Sequence, residues 1–260
     1  MRPQGESLPS GIYPVDLGPR VRGAFTLRAA GSARSASTQS VLRRYAGVPV
    51  ATVAQVHGAE VVWVDAPPEA SVELAAADAI ALSTPGVAAA VLTADCFPLL
   101  LAYDDAAQSA PSGASRRLSP LVAAVHVGRR GLFAGIVPRV CAELQARGAV
   151  PRGMRAAIGP GICGACYEVP ADLADEAARI TPAARTHTVQ GTAGIDIAAA
   201  IRAQLTAAGV REIAVMSRCT FTDQALFSYR REGVTAGRQA ALIQVYEGHR
   251  GLSTARPGDG

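Results

Sequence analysis

His57, Cys96 and His126 each stand where an apolar, strand-like run gives way to a loop. The contexts are Val-Ala-Gln-Val-His57-Gly, Leu-Thr-Ala-Asp-Cys96-Phe-Pro and Val-Ala-Ala-Val-His126-Val-Gly. Two imidazoles and a thiolate fill three positions of a tetrahedral ion and leave the fourth open for a reacting molecule. The three are too far apart in sequence to form a local finger or knuckle, so only a folded scaffold can collect them. A metal-free reading uses the same residues: Cys96 as nucleophile and His126 as its base, as in cysteine amidases. Asp95, beside Cys96, is placed to orient a ligand, to shuttle a proton or simply to shape a turn. Taken one at a time, such strand-end residues are more often structural than ligands, and for Asp95 a turn role explains it equally well.

Other reactive groups carry weaker patterns. Cys163-Gly-Ala-Cys166 has C-x-x-C spacing but no partner pair, so a redox or zinc role is set against accidental spacing, which is preferred. Cys141 falls among apolar residues of a helical stretch and reads as a small core residue. Cys219, at a strand end, is the remaining thiol nearest a candidate site and is read as structural. His187 and His249 stand in polar, loop-like contexts. Gly128-Arg-Arg-Gly131 after a buried strand either aims N–H groups and a guanidinium at an anion or is an ordinary strand-to-helix turn. Arg230-Arg231 is a second anion-facing candidate.

The elements that must position these groups are mostly strands, with a few helices between them. Strand patterns cover 50–56 and 60–65, joined at His57-Gly58 as a hairpin would be, then 79–82, 87–92, 98–103, 121–127, 154–158, 211–217 and 238–245. Helical patterns cover 41–46, 128–147, 170–180 and 196–208. Uninterrupted Val, Leu and Ala runs fit strands covered on both faces. The expected class is α/β (mixed α+β), with mixed β-sheets flanked by helices. Residues 1–40 read as a poorly patterned N-terminal lead, 41–250 as a single catalytic domain and 251–260 as a flexible tail. The stretch 104–120, rich in Ser, Ala, Gly and Arg, reads as an exposed excursion.

Composition narrows the chemistry. The 260 residues include 25 basic ones, all Arg, so Schiff-base and P-loop lysine mechanisms are excluded. A net charge of +4 allows an anionic partner, yet the Arg residues are scattered and no basic aromatic stripe marks a nucleic-acid surface. The N-terminus shows no secretory pattern, and the apolar stretch 74–94 is broken by Asp78 and Ser83-Thr-Pro-Gly86, which makes it strands and a turn rather than a membrane span. A cytoplasmic protein with reduced thiols is expected.

Read jointly, the segments resemble the YfiH-type laccase-domain family, whose members are variously named multicopper polyphenol oxidase, purine nucleoside phosphorylase and peptidoglycan editing factor. The resemblance rests on Gln55-Val-His57-Gly, Ala77-Asp-Ala, Thr93-Ala-Asp-Cys96-Phe-Pro, Ala124-Val-His126-Val-Gly-Arg-Arg-Gly131 and Ile158-Gly-Pro-Gly-Ile. It continues through Cys166-Tyr-Glu-Val169, Cys219-Thr, Phe227-Ser-Tyr-Arg-Arg-Glu-Gly and Gly237-Arg-Gln-Ala, in order from about Val50 to Val245. It implies the cysteine-hydrolase-like YfiH fold and zinc, or copper, on His57, Cys96 and His126. It also implies phosphorolysis of purine nucleosides (adenosine, inosine, methylthioadenosine) with adenosine deamination. Phosphate would fall to Arg43, Arg130 and Arg230. The alternatives are a Cys-His amidase editing peptidoglycan precursors, a copper polyphenol oxidase and an inactive nucleoside-binding module. A full multicopper centre is excluded by a total of 4 His. Three departures stand out: a shortened N-terminal part with Leu42-Arg43 where Asn-Arg is usual, Arg129 in place of Trp, and an extra residue in Gly233–Gly237.

Overall fold

The computed structural model describes residues 10–107 and 119–246. Along the chain run β1 (Ile12–Val15), β2 (Val21–Thr26), α1 (Ala36–Ala46), β3 (Val50–Ala54), β4 (Val61–Val64), β5 (Val72–Ala76), β6 (Ala79–Leu82) and β7 (Ala88–Thr93). They are followed by β8 (Phe97–Tyr103), β9 (Leu121–Val127), α2 (Arg129–Phe133), α3 (Ile136–Ala146), β10 (Met154–Ile158) and α4 (Ala171–Ile180). The last are β11 (Arg185–His187), β12 (Ala193–Ile195), α5 (Ile197–Ala207), β13 (Glu212–Val215), α6 (Tyr229–Glu232) and β14 (Gln239–Val245). Two six-stranded mixed sheets result, ordered β1-β2-β14-β7-β3-β5 and β13-β10-β8-β9-β6-β4.

The sheets stack face to face because their strands are apolar on both sides. Phe25, Val53, Val91 and Ile243 of the first sheet meet Ile80, Leu100, Val122 and Ala157 of the second in one buried interior. The outer face of the second sheet, with Leu99, Val125 and Ile158, packs on Val137 and Leu144 of α3 and on Ile201 and Leu205 of α5. The first sheet's outer face packs Ala88, Ala90 and Leu242 against Leu42 and Ala46 of α1. The expected mixed sheets flanked by helices are therefore present, with helices on both outer faces. β8 and β9 are buried along their whole length, which is why they read as unbroken hydrophobic runs.

Several boundaries differ from the sequence reading. Within the segment expected to be a poorly patterned lead, β1 and β2 form two strands of the first sheet. They are short, and side chains from elsewhere anchor them; the Arg20 guanidinium and N–H both reach the buried Asp104 carboxylate. β3 and β4 make no hairpin: β3 pairs in parallel with β5 and β7, while β4 pairs in parallel with β6 in the other sheet. The stretch expected as one helix from 128 to 147 is broken into α2 and α3 at Gly135, whose φ of 81° lies in the left-handed region. The expected tail 251–260 and most of the excursion at 104–120 lie outside the described residues.

Candidate metal centre

The period-two alternation of β9 sends Leu121, Ala123, Val125 and Val127 toward the helices, and Val122 and Ala124 toward the other sheet. His126 shares the second parity, so its ring emerges at the strand end on the side where the two sheets meet. β6 runs antiparallel beside it with Ala79 opposite Val125, which sets Asp78 opposite His126. The His126 N–H donates to the Asp78 carbonyl at 2.7 Å, and Nδ1 lies 2.7 Å from Asp78 Oδ1. A carboxylate only accepts, so Nδ1 carries the proton and Nε2 is left free for a metal.

Asp78 also builds the His57 turn. Its carboxylate accepts the backbone N–H groups of Gly58 at 2.6 Å, His57 at 3.0 Å and Val56 at 3.3 Å. This cradle holds His57 at a φ of 62°, left-handed and unusual for a non-glycine residue. Gln55 fastens the same end of β3 to β7 by two hydrogen bonds of 2.8 Å with the Leu92 backbone. Cys96 follows Asp95, another left-handed residue at φ 82°. Both Asp95 oxygens are engaged, by the Thr220 hydroxyl and the Arg230 N–H at 2.6 Å each, so this carboxylate ties loops together beside the thiol.

The ligand atoms of His57, Cys96 and His126 lie within 4.8 Å of one another. The two imidazoles meet edge to face with centroids 4.8 Å apart. Gly128 closes the cradle, and a Cβ there would stand 3.0 Å from Cys96 Sγ and 3.1 Å from His57 Cδ2. Burial opposes the Cys96 thiolate, but hydrogen bonds from His126 and His57 outweigh it and bring the thiol down to about 6. Burial likewise opposes the His126 cation, yet the bonds to Asp78 and Cys96 lift it to about 9. Burial raises Asp78 while His126 and the Gly58 N–H lower it, with a net value below the ordinary carboxylate range. A nitrogen-nitrogen-sulfur donor set, a carboxylate behind one imidazole and an open side together fit a metal ion such as zinc or copper.

The open side faces a cavity of about 830 Å³, within the range of small-molecule sites. Arg34, Arg129, Arg230 and Arg238 bring positive charge to its wall, and Tyr167 and Tyr229 bring aromatic faces. The Arg230 guanidinium lies 5.5 Å from the Tyr167 ring centre. The buried Thr93 hydroxyl borders the cavity without a hydrogen-bond partner.

Residues 32–246 match the family described as multi-copper polyphenol oxidoreductase laccase. The chain belongs to this family. It is 41% identical over 189 residues to a purine nucleoside phosphorylase of Streptomyces coelicolor, covering 73% of this chain and 72% of that protein. A purine nucleoside phosphorylase of Mycobacterium tuberculosis (strain H37Rv) is also 41% identical, with 73% and 69% covered. The fold is that of a Neisseria meningitidis protein, at a TM-score of 0.73 and 28% identity over 92% of this chain and all of that one. YlmD from Geobacillus stearothermophilus matches at a TM-score of 0.70 and 26% identity, covering 88% and 93%.

Set in this laccase-type scaffold, the Arg residues expected to hold phosphate divide. Arg230 lines the cavity. Arg43 does not: it is exposed on α1, where its guanidinium meets Ser40. Arg130 is exposed, and its neighbour Arg129, the departure from the family's usual Trp, faces the cavity instead. Arg231 is consumed internally, binding the carbonyls of Thr220, Phe221 and Leu226. Sequence reasoning missed Asp78, although a lone carboxylate inside an apolar run was a signal. It also missed Arg34, hidden in the segment taken for a lead, and Arg238, quoted only as part of a motif. His187 sits exposed on β11, and His249 lies outside the described residues.

Proposed function

We propose that this protein is a zinc-dependent purine nucleoside phosphorylase that also deaminates adenosine. The observation that carries the reading is the convergence of His57, Cys96 and His126 in the lining of a cavity that also carries four guanidinium groups. The names of the relatives support the substrate class. Bound zinc would act there as a Lewis acid, with an open position for an oxygen or nitrogen of the substrate. His126 would hold it, because Asp78 occupies Nδ1 and leaves Nε2 free. His57, fixed by the turn that Asp78 shapes, would be a second ligand.

The chain's own residues would bind the two substrates. In phosphorolysis a phosphate oxygen attacks the anomeric carbon as the glycosidic bond to the purine nitrogen breaks, giving a sugar phosphate and free base. Arg129 and Arg230, which line the cavity, would bind the phosphate dianion, and Arg34 and Arg238 would add to the field that draws it in. Tyr167 and Tyr229 offer faces for the purine. Incubating the protein with adenosine and phosphate tests this reading: base and sugar phosphate should form, ammonia should be released, and chelation should stop both. Release of neither base nor ammonia by zinc-loaded protein overturns it.

A second reading draws on a specific observation. The Cys96 thiol near 6, paired with His126 near 9 and backed by Asp78, is also the arrangement of a thiol nucleophile with an oriented base. An amidase of this type would keep full activity in chelator and lose it on alkylation of Cys96.

A further inference from the structure

Cys163, Cys166 and Cys219, which the sequence left as accidental spacing and a structural thiol, converge. Their sulfurs lie within 4.8 Å of one another, on loops joined by a parallel bridge between Gly161 and Cys219. We propose that these three thiols form a second metal site, a tris-thiolate cradle for zinc, separate from the His57–Cys96–His126 centre.

The geometry is that of a cluster of three thiols with backbone donors aimed at one sulfur. The Cys163 N–H donates to Cys219 Sγ at 3.4 Å, and the N–H groups of Phe221 and Thr222, two and three residues on, point to the same sulfur. The Cys163-Gly-Ala-Cys166 turn is closed by the Cys166 and Tyr167 N–H groups, each 2.9 Å from the Cys163 carbonyl. Arg231 fixes the facing loop from beneath through the carbonyls of Thr220 and Phe221. Three sulfurs held this close repel one another as thiolates, and a soft divalent ion removes that repulsion. Thiolate donors select zinc or cuprous ion over magnesium or calcium. All three side chains are half-buried, which leaves the ion an entry path.

The position gives the site a role in shaping the cavity. Ile162 and Tyr167, immediately flanking the C-x-x-C turn, line the cavity, and Thr220, next to Cys219, anchors Asp95 beside Cys96. An ion here would clamp one wall of the pocket without touching the substrate.

The test is zinc counting on protein purified under reducing conditions, loaded with zinc and desalted. Wild type should retain one more zinc per chain than Cys219→Ser or Cys166→Ser. Cys96→Ser should lose a different equivalent, and Cys96→Ser combined with Cys219→Ser should lose both. Alkylation mapping of wild-type protein covers the case in which a variant fails to fold: zinc should slow iodoacetamide labelling of Cys163, Cys166 and Cys219 by about 10-fold or more. That protection should persist in Cys96→Ser, which separates this site from the fate of the proposed activity. Equal zinc content in wild type and Cys219→Ser would overturn the proposal. So would unprotected labelling of the three thiols, or a Cys163–Cys166 disulfide whose reduction restores no zinc uptake.

Discussion

Asp78 does more for the candidate centre than its position in an apolar run implied. One buried carboxylate accepts three backbone N–H groups around His57 and fixes the His126 tautomer. Asp78→Asn keeps the shape but leaves one acceptor oxygen where two were used. Its zinc affinity should fall about 10–100-fold, by the usual effect of the group behind a ligating His. Its stability should fall by about 1–3 kcal/mol for the donors left unpaired. Chelator competition and thermal melts measure the two effects, and wild-type zinc affinity in the variant would refute the role. In metal-stripped protein the depressed Cys96 thiol contributes stability at high pH that is lost as pH falls through about 6. The raised His126 contributes stability at low pH that is lost as pH rises through about 9. The ion pair is therefore intact between these limits, and alkylation of Cys96 should set in near pH 6. Onset near pH 9, as for an ordinary thiol, would contradict it. The convergence of His57, Cys96 and His126 was legible in the sequence because His and Cys at strand ends are conspicuous. Asp78 was not, because its partners are backbone groups that no sequence pattern displays.

At the scale of elements, the centre depends on where strands end. The alternation of β9 aims His126, the register with β6 sets Asp78 across from it, and the turn after β3 delivers His57 from the other sheet. Gly128, entering α2, leaves room for all three ligands. Gly128→Ala should keep the circular dichroism of the wild type yet lower zinc affinity about 10-fold or more, since ligand geometry tolerates only about 0.5 Å of displacement. Unchanged zinc retention would show that the contact is slack. β8, β9, β10 and α5 were legible because their apolar runs are bounded by clear turn residues. The pairing of β3 and β4 was not: proximity in sequence resembled a hairpin, while the Asp78-bound turn sends them into different sheets. β1 and β2 were obscured because, among the described residues, β1 pairs only with β2, and β2 is joined to the rest of the sheet by β14, at the opposite end of the described chain.

Across the whole molecule, two stacked sheets leave a cavity at one end, and distant segments supply its charge. Arg34 comes from the start of the chain and Arg238 from its end, so their shared position could be known only from the fold. Arg129→Gln and Arg230→Gln should each raise KM for phosphate about 10–100-fold, as loss of a charged hydrogen bond of about 1.5–3 kcal/mol predicts. KM for the nucleoside should change little. An unchanged phosphate KM in both variants would move the anion site elsewhere. The question that decides the chemistry is whether the ion at His57, Cys96 and His126 is needed for turnover. The direct measurement is phosphorolysis of adenosine by protein stripped with chelator and then titrated with zinc, followed by release of free base. Activity should vanish on stripping and return with zinc, and Cys96→Ala should show none at any zinc concentration. Full turnover by stripped protein, or by Cys96→Ala, would contradict a zinc enzyme built on these three ligands.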